Sequence, residues 1–327
     1  MECTINYVGI DVSKATFDVC MEENGGYSHY QFSNDSDGFQ KLLLLIKDSN
    51  DYQVVMEASG PYYLRLATYV YDSAVLVSVV NPLVIRRFCQ MRLSRAKTDK
   101  KDAKMIALYA KVEHPPVWEP DADYVQELRQ IQAAIKGLEK SRISMERQME
   151  AFSQNPIASK EAIKALKTSC KTLEKQIKML EQKMEQLVAD YHGALLSNLK
   201  SIPGIGKKTA MQLIVASGAF RKFSNTKQLI SYFGLSPRIF VSGTSVKGKA
   251  KITKMGMSRI RAMLYLCAWS AKKCNQTCKE LYDRLVAKGK SKRLALIAVA
   301  NKLLKQAFAI ATHNTTYIVN YQKNICF

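Results

Sequence analysis

The chain of 327 residues is 47% apolar, enough for two or three domains with cores of their own and unlike the composition of a disordered segment. Its 49 Lys and Arg against 28 Asp and Glu leave a formal charge of +21, which calls for a polyanionic partner, nucleic acid before an anionic membrane. No uninterrupted apolar run reaches the roughly 18–20 residues of a spanning helix, and neither a basic-then-apolar leader nor an amphipathic basic helix is legible, so no membrane is expected and a cytoplasmic location is.

Residues 1–120 alternate strand and helix signals. "YVGIDVS", "ATFDVCME" and "YSHYQFS" read as three strands, the last two joined by a turn at Gly25-Gly26. "DGFQKLLLLIKDS" reads as a helix capped by Asp37, and "YQVVMEASG" as a short buried strand ending in an acid. "PYYLRLATYVYDS" is a helix opened by proline, "AVLVSVVNP" another strand, and a basic connection leads into a helix over about 100–112. Three successive strands followed by alternating helices and strands predict an α/β sheet that starts antiparallel and continues parallel, the order of a ribonuclease H-like fold.

Residues 121–195 change period. Leu128, Ile131, Ile135, Leu138, Met145, Met149 and Phe152 follow a three-four spacing interrupted by Arg142, and after "SQNP" the spacing resumes from Ile163 to Leu187. Two heptad helices around an asparagine-proline break predict an antiparallel coiled-coil hairpin, pairing within or between chains. Residues 196–327 open with "LKSIPGIGKKTAMQLI", a helix-hairpin-helix-like element. Its glycines would let backbone N–H groups approach a phosphate, with Lys207 and Lys208 adding charge; a tight interhelical turn is the plainer alternative. A glycine-, serine- and lysine-rich loop follows at 242–251, and "SKRLALIAVANKLLKQAFAIAT" reads as an apolar core helix. The eight cysteines form no Cys-x-x-Cys pair and read as reduced thiols rather than a zinc site.

Four acids stand out by position. Asp11 and Glu57 each end a predicted strand, and Asp99 and Asp102 are spaced to share one face of a helix. Converging carboxylates repel one another, and Mg²⁺, an oxygen-seeking cation, relieves that repulsion. Two such ions roughly 3.5–4 Å apart would suit phosphodiester cleavage. Each acid alone also reads as a turn residue, a helix cap or part of a charge-balanced helix face, and Asp18, Asp35, Asp37 and Asp48 show that acids are common here. Around the pair, Arg86, Arg87, Arg92, Arg95, Lys97, Lys100, Lys101 and Lys104 form a phosphate-tracking stretch.

"GIDVSKATFDV", "VVMEASGPY", "VVNP" and "AKTDKKDAK", followed by "IPGIGKKTA", "YFGLSPRIFVSG" and "ITKMGMSRIRAMLY", resemble the DEDD transposases of the Piv/MooV invertase and insertion-sequence one-ten family over nearly the whole chain. One departure is "EASG", where that family more often has Glu-Ala-Thr-Gly. The resemblance implies a RuvC-like domain with Asp11, Glu57, Asp99 and Asp102 as metal ligands, and Ser242 as a nucleophile in a C-terminal transposase domain, with Ser245 its rival. It further implies donor and target DNA as substrates, a bridge RNA as guide, and a homo-oligomer in which carboxylates of one subunit meet the serine of another. Lys247, Lys249 and Lys251 would then contact backbone phosphate. Two other readings stand beside this one: a RuvC-like nuclease that cuts without rejoining, and a non-catalytic nucleic-acid-binding protein.

Overall fold

A computed structural model describes residues 5–23, 25–46, 51–93, 98–238, 241–242, 246–247 and 251–319. The chain divides into two units, Met1–Asp121 and Ala122–Phe327.

The first unit is built on five strands, β1 (Asn6–Val12), β2 (Thr16–Glu23), β3 (Gly26–Ser33), β4 (Tyr52–Glu57) and β5 (Leu76–Val80), in the order β3-β2-β1-β4-β5. β1, β2 and β3 pair antiparallel, whereas β4 joins β1, and β5 joins β4, in parallel. The expected change from antiparallel to parallel is therefore present. Four helices cover this sheet: α1 (Ser36–Leu45), α2 (Tyr63–Asp72), α3 (Pro82–Met91) and α4 (Asp99–Glu113). Side chains alternate between the faces of a strand. Val8, Ile10 and Val12 of β1 accordingly share a core with Phe39, Leu42, Leu66 and Val70 of α1 and α2, while Val55 and Val80 pack with Ile85, Ile106 and Ala110 of α3 and α4.

Two local expectations are corrected. Asp35, not Asp37, caps α1: its backbone is extended and its carboxylate accepts from Gly38 N at 3.0 Å, which holds that carboxyl below its ordinary range. The basic connection after β5 contains a helix, α3, opened by Asn81, whose side chain accepts from Leu83 N, and by Pro82 in its first turn. Only Ile85 and Phe88 of α3 are buried, so its apolar stripe is too narrow to show in sequence.

In the second unit α5 (Asp123–Ser153) and α6 (Lys160–Lys200) lie antiparallel, as the cross-helix pairs Glu127–Lys183 and Arg142–Glu174 require. Ser159 caps α6 through Ala162 N. Non-helical torsions at His192 break α6, beside a hydrogen bond of 3.1 Å between His192 and Tyr124. The heptad residues are buried unevenly. Leu128, Ile131, Ile135, Met184, Leu187 and Val188 enter a common core, whereas Met145, Met149, Phe152, Ile163 and Leu166 are only half-buried. That core is completed by α7 (Lys207–Ser217), α8 (Thr226–Tyr232), α9 (Ser258–Cys274), α10 (Gln276–Ala287) and α11 (Lys292–His313). The segments 121–195 and 196–327 thus share one core. Among the described helices α11 alone is long and apolar enough to cross a membrane, yet Leu296, Val299, Leu303, Leu304 and Phe308 are built into this core. Between α8 and α9 run two short antiparallel pairs, β6 (Pro237–Arg238) with β9 (Lys251–Ile252) and β7 (Val241–Ser242) with β8 (Val246–Lys247).

Candidate active site and nucleic-acid surfaces

Gly9 decides where the acids meet. It faces α4, and a Cβ built on it would stand 2.2 Å from Ala107 N and 2.3 Å from Ala103 O. Only a residue without a side chain, set against alanines, lets the helix backbone lie this close to the strand. α4 runs antiparallel to β1, since at its far end His114 Nδ1 shares a hydrogen bond of 2.6 Å with the Tyr7 hydroxyl. Its first turn, which carries Asp99 and Asp102, therefore lies toward Asp11, two residues beyond Gly9 on the same strand face. Glu57 arrives from β4: Ile10 and Met56 are in register, so Asp11 and Glu57 follow at the ends of neighbouring parallel strands. Thr98 caps α4 through Lys101 N, and acids in the first turn also favour the helix dipole.

The electrostatics report the convergence. Asp11 is raised from its ordinary 3.8 to about 6, first by burial and then by Asp102, Glu57, Asp99 and Asp18. Cys89 on α3, packed against the core of Ile85, Ile106 and Ala110, has its thiol raised by burial first and then by Asp102 and Glu57. Asp99 is exposed; Asp11, Glu57 and Asp102 are half-buried. Among the described residues no three His, Cys, Asp or Glu side chains stand close enough together to hold an ion as they are. The carboxylates share a field without forming a ready-made ligand set. Their all-oxygen chemistry suits a hard divalent cation.

Three further residues, given no role in the sequence reading, bear on this cluster. Ser59 donates to Glu57 Oε1 at 2.5 Å, so the serine of "EASG" supplies the hydroxyl that a threonine would supply there. Asp18, in register with Asp11 across β1 and β2, is buried and bound by His29 Nε2 at 2.7 Å and by Gln31 Nε2 at 3.2 Å. Cys89 is the third.

The predicted phosphate contacts separate into groups. Arg86, Arg87 and Arg92 are exposed on or just after α3, and Lys100, Lys101 and Lys104 are exposed on α4. Lys104 Nζ sits 4.7 Å from the Tyr27 ring centroid, and the Arg92 guanidinium lies over Phe88. Arg95, Lys97, Lys249 and Ser245 lie outside the described residues. Ser242 is in β7, its backbone in register with Val246; Lys247 is in β8, and Lys251 is exposed in β9.

The two glycines of the helix-hairpin-helix-like turn are placed differently. Gly204 has φ +103° and packs on α9, where an added Cβ would meet Ala271 Cβ at 2.6 Å, so packing alone requires this glycine. Of the two glycines in this turn, Gly206, the N-cap of α7, has open space around it. Lys207 pairs with Glu185, and Lys208 with Glu181 at 2.5 Å, so both lysines are already partly neutralised by α6.

The chain thus joins a five-stranded mixed α/β unit, with Asp11 and Glu57 at adjacent strand ends, to a largely helical unit, under a formal charge of +21. Residues 8–154 match a transposase family of the DEDD, IS110 type, and residues 196–283 match the family described as Transposase IS116/IS110/IS902. Pilin gene-inverting proteins of Moraxella bovis and Moraxella lacunata are each 31% identical to the chain over 317 residues, covering 95% of it and 97% of the relative. The transposase of insertion sequence element IS1111A from Coxiella burnetii is 23% identical over 96% of the chain and 91% of its own length. The chain belongs to the IS110 transposase family, whose enzymes cleave DNA and transfer strands.

Proposed function

We propose that the chain is a divalent-cation-dependent site-specific DNA recombinase of an insertion sequence, with its α/β unit acting as a RuvC-like domain of ribonuclease H type. The carrying observation is geometric: Asp11 and Glu57 end neighbouring parallel strands, and the Gly9 contact lays α4, with Asp99 and Asp102 in its first turn, against the same strand face. Asp11, Glu57, Asp99 and Asp102 are the residues that would hold the cations, two Mg²⁺ ions in this reading. Bound there, the ions supply charge stabilisation for phosphoryl transfer.

Ser242 is the proposed nucleophile. Its Oγ gives up a proton and bonds to phosphorus, while the bond from phosphorus to one deoxyribose oxygen breaks and that oxygen leaves as a hydroxyl. The phosphoserine ester conserves the phosphodiester linkage energy, and a hydroxyl of the receiving strand reverses the exchange. Arg86, Arg87, Arg92, Arg95, Lys97, Lys100, Lys101 and Lys104 track the backbone and give salt-sensitive affinity, as do Lys247, Lys249 and Lys251. Lys207 and Lys208 reach phosphate only by exchanging Glu185 and Glu181 for it. Sequence choice falls to a bridge RNA through base pairing, and a homo-oligomer brings carboxylates of one subunit to the serine of another.

Covalent trapping tests the assignment. End-labelled donor and target DNA, with Mg²⁺ and RNA transcribed from the element's non-coding flank, is quenched in detergent and resolved by mass. The expected result is protein-linked label with the wild type and with Ser245→Ala, and none with Ser242→Ala. Label persisting on Ser242→Ala overturns the nucleophile, and cleaved DNA that is never joined favours a nuclease.

A further inference from the structure

A groove of 1260 Å³ opens on the second unit between α10, α11 and the β6–β9 pair, beyond the roughly 300–1,000 Å³ of a small-molecule pocket. Six cations line it: Lys251, Lys254, Arg284, Arg293, Lys302 and Lys305. Glu280 is the one acid among its lining residues, and its carboxylate already accepts from Gln276 Nε2 at 2.8 Å. Among the described residues none of the six cations stands in an ion pair, unlike Lys207 and Lys208. Like charges gathered without counter-charges are held apart from their optimum, and a polyanion relieves that repulsion.

The floor distinguishes which polyanion. Leu281, Leu294 and Ile297 line the groove between the charged side chains. A DNA duplex presents phosphates outward and keeps its bases stacked inside, so it would leave this aliphatic surface wet. An unpaired strand can set its phosphates on the cations and lay its bases against Leu281, Leu294 and Ile297, an aliphatic surface in place of the aromatic platforms on which single-strand grooves stack bases. We infer that this groove binds an unpaired DNA strand, its backbone held by Lys254, Arg284, Arg293, Lys302 and Lys305. The inference rests on the reading of the chain as a DNA recombinase and adds a strand-holding role to residues other than the carboxylates and Ser242.

The test is equilibrium binding of the full chain to fluorescent oligothymidylate, to a duplex of equal length and to the matching RNA strand, in EDTA and over a salt series. The variant is Arg284→Gln, Arg293→Gln and Lys305→Gln together, all exposed positions. A control of equal charge loss is Lys164→Gln, Lys171→Gln and Lys178→Gln on the exposed face of α6. The groove variant is expected to lose about 10-fold or more in single-strand affinity. Its log–log salt slope should fall by about 2, at roughly 0.7 for each phosphate no longer neutralised, with duplex affinity within about 2-fold of wild type. Single-strand affinity equal to that of the control, an equal loss on duplex, or a loss confined to RNA would each overturn the inference. A wild-type chain that binds none of the three overturns the DNA reading itself.

Discussion

Gly9→Ala tests how the site is assembled without touching any acid in it. The added Cβ would stand 2.2 Å from Ala107 N, 2.3 Å from Ala103 O and 2.8 Å from Ala107 Cα, where ordinary contact begins at 3.4 Å. These are backbone atoms and cannot rotate aside, so α4 must retreat from β1 by about 1 Å, an overpacking that costs on the order of 1–3 kcal/mol. The same movement carries Asp99 and Asp102 away from Asp11, and a shift of about 1 Å at a reacting centre costs on the order of 100-fold in rate. Urea unfolding gives the stability loss, and recombination in Mg²⁺ normalised to folded protein gives the rate loss. A Gly9→Ala chain as stable and as active as wild type refutes the claim that this contact sets the position of α4.

Ser59→Ala should lower recombination about 10–100-fold, the usual cost of losing a group that orients a ligand, while Ser59→Thr keeps it; equal rates for both would show that the hydroxyl on Glu57 is idle. Cation binding should depend on pH through Asp11. Its folded value lies above 3.8, so without cation this group's contribution to stability grows as pH falls through about 6. Mg²⁺ needs the ionised carboxylate, so the melting-temperature rise it causes should be full at pH 7.5 and largely lost at pH 5; a pH-independent rise contradicts this. Glu181→Gln with Glu185→Gln frees Lys208 and Lys207 and should tighten duplex binding several-fold, with unchanged affinity showing that neither lysine reaches phosphate. In urea melts Gly204→Ala should cost well over the roughly 1 kcal/mol expected of Gly206→Ala at an N-cap, because Gly204 combines a φ of +103° with contact on Ala271. Similar losses would remove that distinction.

The succession of strands was legible because β1, β2, β4 and β5 are short, mostly apolar segments bounded by turn residues. α3 was not, since Leu83, Val84, Arg86, Arg87 and Met91 are all exposed and mask its two buried anchors. Asp11, Glu57, Asp99 and Asp102 could be nominated from their places at strand ends and in a helix turn. Their proximity could not, because it depends on a contact between Gly9 and alanines nearly a hundred residues later. Ser59 lies only two positions from the Glu57 it bonds, whereas Asp18 and Cys89 come near the acids through strand pairing and helix packing that only the folded chain supplies. Lys207 and Lys208 looked free in sequence, because the α6 glutamates that hold them lie 22 and 27 positions away.

The most direct measurement is recombination of DNA bearing the element's ends by purified Asp102→Asn chain, beside wild type, with Mg²⁺ and the candidate guide RNA. Recombinant product is expected from the wild type only, with the variant folded and binding DNA as tightly as before. Recombination by Asp102→Asn at the wild-type rate would contradict this.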